Sequence, residues 1–174
     1  MFRRVRETAP AGLVPAAWAF AIAGHLGLVG ERPVLIAHVV MVVLLVAFVV
    51  LSWGDMRRGV LRAWRLVILA GIPVTLAGVA GALASPPAAA PLLAVSLVGW
   101  AVLPAPALWY TGRESTGTAR TVDRTAAALS LAGVGAYLAA LAVGTAPSAS
   151  SRIAGLALVG VGQTVGIVDA AARY

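Results

Sequence analysis

The stretch Pro33–Trp53, PVLIAHVVMVVLLVAFVVLSW, decides the fold class. Its only ionisable side chain is His38, and from Val39 to Leu51 it is an unbroken run of Val, Leu, Met, Ala and Phe. A helix needs about 20 apolar residues to cross the hydrocarbon core of a bilayer. A helix apolar on every side has no stripe to turn toward water. The segment therefore reads as a membrane span, and its all-round Val/Leu surface places it at the edge of a bundle, facing lipid.

Five further stretches have similar length and character: Pro10–Gly30, Leu66–Ala84, Pro91–Tyr110, Thr125–Thr145 and Ile153–Ala171. With 33–53 they predict an all-α, polytopic integral membrane bundle of six transmembrane helices, a single membrane domain over 1–174. The third and sixth stretches are the shortest, so five spans with one re-entrant segment is the alternative. Composition agrees. The chain is 61% hydrophobic and 11% charged, with a mean hydropathy of +0.96, whereas a soluble domain carries about 25% charged residues.

The pI of 11.5 comes from 13 basic residues, every one of them arginine. They fall in short groups between apolar runs, without the basic stripe and interleaved aromatics of a nucleic-acid surface. Nucleic acid is excluded as a partner. Arginines in short loops set orientation instead. Arg3, Arg4, Arg6, Arg57, Arg58, Arg62, Arg65, Arg113, Arg120, Arg124 and Arg173 fall on one side, and Arg32 and Arg152 on the other. Both termini are expected in the cytoplasm. Trp53, Trp64, Trp109, Tyr110 and Tyr174 sit where headgroups should be on that side, while Trp18 and Trp100 lie within spans.

The first span begins like a signal peptide, but its apolar run continues to Gly30, beyond the 7–15 residues of such a segment. Without Cys, disulfides and thiolate metal sites are excluded, and without Lys, Schiff-base cofactors. The exclusive use of arginine hints at a GC-rich prokaryotic genome, with the plasma membrane as the expected location. Very short outer links predict that consecutive helices pack as antiparallel neighbours. Small residues recur at four-residue spacing, as in Ala132/Ala136/Ala140 and Gly162/Gly166. Such stripes allow close helix approach where no hydrophobic force drives association.

Few polar groups lie inside the spans, and any chemistry in the bilayer must use them. His25 lies five residues before the outer end of the first span and His38 five residues after the outer start of the second. At 1.5 Å per residue both sit about 7–8 Å deep. Met41 shares a helical face with His38, and Ser96 reaches a similar depth. Imidazoles and a thioether suit haem iron or copper, so His25, His38 and Met41 form a candidate metal set. Helices joined by a tight turn pack about 8–10 Å apart, which is narrow for a haem between two imidazoles.

Gln163 is the only glutamine in the chain and lies mid-span among Gly160, Gly162 and Gly166. Lipid satisfies none of an amide's donors or acceptors, so it should point inward. The third span carries Gly71 and Pro73 near its middle, where Pro73 removes a backbone hydrogen bond and favours a kink. Interrupted helices at corresponding places in two halves point to a transporter site. Gln163, Pro73, Thr75 and Thr164 are therefore the candidate substrate-binding residues.

Other motifs carry less. Gly112–Thr118 has the glycine spacing of a P-loop but neither the lysine nor the preceding strand. Asp169 and Arg173 are spaced as an exposed helical ion pair. No metalloprotease motif, nucleophile elbow or paired intramembrane carboxylate is present, so no catalytic residue is assigned and an enzyme is not the expected class. Three functions fit: a small-solute transporter or transporter membrane component, a redox subunit binding haem or copper, or an assembly subunit with no site of its own. Besides the lipid bilayer, the partners expected are another membrane protein or a second copy.

Overall fold

The computed structural model describes residues 2–143 and 148–173, with backbone only at 2–9 and 148. The helices are α1 (Phe2–His25), α2 (Glu31–Ser52), α3 (Gly59–Leu83), α4 (Ala89–Val102), α5 (Pro104–Glu114), α6 (Gly117–Val143) and α7 (Ser148–Arg173). The side chains of Arg3, Arg4 and Arg6, the fifth span's end at Thr145 and the anchor Tyr174 lie outside the described residues.

Helices α4 and α5 are two pieces of one span. Leu103 between them keeps helical dihedrals, φ −53° and ψ −42°. Pro104 and Pro106, however, have no N–H to give to the carbonyls of Trp100 and Val102. Counting α4 and α5 together as Ala89–Glu114, five segments are long and apolar enough to cross a membrane. Helix α1 has 24 residues, about 36 Å at 1.5 Å per residue, which is long enough to cross. It is not among the segments that are also apolar enough, so five of the six expected spans are found among the described residues. Helices α3 and α7 run to 25 and 26 residues, so neither is a short re-entrant piece. Each extends its apolar stretch into the charged flank, where the backbone stays helical.

Around the bundle the helices neighbour one another in the order α2, α3, α4/α5, α6, α7, α1. Every consecutive pair packs as its short link predicts except the first. Helix α1 packs on α7 and α2 on α3, and the two do not form a packed pair among the described residues. The link explains how. Gly27, at φ +73°, ends α1 with Gly27 N–H donating to Gly24 O and Leu28 N–H to Ala23 O, both at 3.0 Å. This glycine-closed terminus satisfies carbonyls that the helix leaves free and redirects the chain toward α2.

At several other helix contacts a side chain is seated on a glycine. A Cβ at Gly160 of α7 would lie 2.9 Å from the Trp18 Cβ of α1, and one at Gly78 of α3 would collide with the His38 ring of α2. Closest of all are α6 and α7. A Cβ at Gly133 would meet Gly155 O and Val159 N at 2.6 Å, and one at Gly155 would meet Tyr137 N at 2.7 Å. The face of α6 that does this carries Ala126, Ser130, Gly133, Tyr137 and Ala140. Ala132 and Ala136 face outward, so the expected stripe contributes only Ala140. Gly162 does lie in the interface, against Ala126 O and Ser130 Oγ.

As expected for its composition, α2 is mostly exposed, with Leu45, Val49 and Ser52 its buried residues. The side of each bundle end remains a reading of the arginine bias. A reporter fused after Tyr174 should act as cytoplasmic and one inserted at Pro86–Pro87 as external. External activity at the C-terminus would reverse the orientation or remove a span.

Candidate functional site

Gln163 points inward, 2% exposed, as an amide in lipid must. Its Oε1 accepts the Trp18 indole N–H of α1 at 3.0 Å. Its Nε2 donates to Trp100 O and Ala101 O, each at 3.1 Å. Trp100 O is a carbonyl that Pro104 leaves without its helical donor, so the amide of α7 caps the break in the fourth span. A proline and a glutamine far apart in the chain thus satisfy a single deficit.

The network continues through Trp100. Its indole Nε1–H donates to Thr75 Oγ1 at 2.9 Å, and Thr75 donates back to Gly71 O at 2.7 Å. The Trp100 ring lies against Gly71, where a Cβ would fall 2.5 Å from Cη2. Helices α1, α7, α4 and α3 are thereby joined by one run of hydrogen bonds.

Of the four candidate substrate residues, the structure connects Gln163 and Thr75 through Trp100, without direct contact. Thr164 lies half-buried, lining a shallow groove of about 380 Å³ with Pro15, Trp18, Ile22, Gly160 and Val165. Pro73 faces outward, and α3 continues through it as one helix. The interruption expected in the third span is found in the fourth. The glycines around Gln163 serve close packing, since α7 is also continuous.

The histidines take different partners. His25 Nδ1 donates to Ala21 O at 2.9 Å, so Nε2 is the acceptor for the Tyr137 hydroxyl at 3.0 Å, with the rings edge to face. His38 Nδ1 donates to Val34 O at 2.8 Å, and its Nε2 faces Ser96 Oγ at 3.3 Å. The structure does not bring His25 and His38 together, because α1 and α2 diverge. Met41 sits half-buried on α2. The donor set could hold a metal only by giving up these bonds. Among the described residues, no group of three His or acidic residues gathers into a metal-binding arrangement.

At the arginine-rich end, Asp123 is fully buried and takes two bonds from Arg173 Nη2, at 2.8 and 2.9 Å. Arg173 Nη1 donates to Ser115 Oγ at 3.0 Å. The Asp169–Arg173 ion pair forms at 2.7 Å, yet it is part of this half-buried clamp between α7 and the α5–α6 turn. Nearby, the Trp64 indole turns inward to Thr111 Oγ1 at 3.2 Å.

Sequence reasoning missed Trp18, Trp100, Tyr137 and Asp123. For the two tryptophans a signal was available, since a mid-span indole N–H needs an acceptor. For Asp123 the signal was weaker, an acid immediately before Arg124, the last arginine ahead of an apolar run. Comparisons with protein-family models, with curated proteins and with solved structures give no match for the chain.

Proposed function

We propose that the chain is an interaction and assembly subunit of a membrane complex, residing in the plasma membrane and acting through its lipid-facing surface. One observation carries this reading. Both amide protons and the oxygen of Gln163 are committed to tying α1, α4 and α7 together. The strongest intramembrane recognition group thus serves the bundle's own cohesion. Thr75, Trp100, Ser96 and both imidazoles are engaged in the same way. Among the described residues, the concavities on α2 and between α1 and α7 are shallow, and their lining side chains are apolar except for Thr164.

The test is the protein mass of the particle extracted in mild detergent, with the detergent contribution subtracted. It should exceed the 17.6 kDa of one chain through a companion polypeptide or a second copy. A single-chain particle that also moves a solute across liposomes would sink the proposal.

One observation favours a small-solute transporter as the second reading. The groove lined by Trp18 and Thr164 lies directly outside Gln163, so a rotation of the Trp18 indole would present the amide to a weakly polar solute. In that case Thr164→Val lowers flux while thermal stability stays unchanged.

A further inference from the structure

At the arginine-rich end, two arginines are held in the same unusual way. The Arg65 guanidinium lies 4.7 Å from the Trp53 ring centroid, and the Arg124 guanidinium 5.3 Å from that of Trp109. Both indoles are about half exposed, at 47% and 48%, on the outer rim where span and loop meet. Stacking on a ring buries one face of a guanidinium and fixes its plane, leaving the N–H edge directed away.

Among the described residues, neither guanidinium is paired with a carboxylate. Asp123, next to Arg124 in sequence, is already taken by Arg173 and Ser115. The Nε atoms of Arg65 and Arg124 are buried and have no hydrogen-bond partner, so a phosphate would be met by the terminal Nη groups. Arg65 makes a long bond to Trp53 O, 3.5 Å. Arg113 is exposed and follows Trp109 by four residues on α5, so it adds a second fork to the same face.

We propose that Arg124 on Trp109, aided by Arg113, and Arg65 on Trp53 are two recognition points for the phosphate of anionic phospholipids in the arginine-rich leaflet. The planar fork matches a phosphate in bidentate fashion. The half-exposed indoles set it at headgroup depth. The excess of uncompensated arginine at this end selects a lipid of net negative charge over a zwitterionic one.

The full chain, purified in detergent, is equilibrated with equal amounts of phosphatidylglycerol and phosphatidylcholine, and bound lipid is counted by native mass spectrometry. Phosphatidylglycerol should be retained preferentially. Arg124→Gln and Arg65→Gln should each weaken its retention about fivefold, the worth of one arginine near an anionic surface. Arg124→Lys keeps the charge without the fork and should fall between. Arg32→Gln, the same charge change at the opposite end, should leave retention as in the wild type. Equal retention of both lipids, or an equal loss from Arg32→Gln, would overturn the proposal. So would competition by inorganic phosphate as effective as that of the lipid, since it would make these anion sites independent of a membrane.

Discussion

Gly155→Leu should separate α7 from α6 and cost about 3 kcal/mol, the upper end for forcing atoms into a packed interior. Even a first added carbon at Gly155 would lie 2.7 Å from Tyr137 N, 2.9 Å from Gly133 O and 3.0 Å from Tyr137 Cα. All three are backbone atoms, which cannot swing aside as a side chain can. Relief comes only by moving one helix off the other. That movement would also disturb the contacts Val159 and Leu156 make within the cluster of Trp18, Ala101, Val134 and Tyr137. Because lipid is as apolar as these side chains, their packing is the main attraction lost. The measurement is the reversible unfolding free energy in bicelles or mixed micelles. Gly135→Leu, where nothing lies within 4 Å of the added Cβ, is the control and should change little. If the two variants are equally stable, α6 and α7 do not meet along this face.

The second large effect is expected at Gln163→Leu, with a loss of about 2 kcal/mol. Three hydrogen bonds disappear, and transmembrane hydrogen bonds measured in context average about 0.6 kcal/mol each. The indole N–H of Trp18 and the carbonyl of Trp100 are then left without partners in a medium that offers none. Pro104 makes this more severe, because it removed the helical donor for Trp100 O in the first place. Pro104→Ala supplies an N–H to that carbonyl and should recover part of the loss in the Gln163→Leu background. A double-mutant cycle reads the coupling directly. Additive effects would mean that the amide and the break act independently, contrary to the 3.1 Å bond between them. A much larger loss of flux than of stability in Gln163→Leu would instead support the transport reading over the assembly one.

How much of this was legible in the chain differs from residue to residue. The inward direction of Gln163 followed from its chemistry alone, since an amide cannot be solvated by hydrocarbon. Its acceptors did not, because they are the main-chain oxygens of Trp100 and Ala101, and a carbonyl carries no sequence signature. The spacing of His25 and His38 along the chain was legible. Their common depth was not, since it assumed a first helix reaching Gly30, whereas α1 ends at His25 and His38 lies seven residues into α2. Nor was their meeting, because it depended on α1 and α2 packing together. Trp18 on Gly160 and His38 on Gly78 instead draw those helices to opposite ends of the row. The Ala132/Ala136 stripe was equally plausible as an interface, but the face with Gly133 is the one that fits Gly155.

By itself the sequence determined the solvent, the helical class, the approximate span boundaries and the expected orientation. Each of these depends on local composition: about 20 apolar residues at a time, or arginines counted loop by loop. Only the tertiary structure decided which helices are neighbours, where the fourth span breaks and is capped, and that Arg173 reaches the buried Asp123. The reason is physical. In water, apolar periodicity marks the face that turns inward, but in lipid the inward and outward faces are both apolar and the period carries little information. Partner choice then rests on backbone fit at glycines and on hydrogen bonds between residues distant in the chain, and both exist only once the helices are in place.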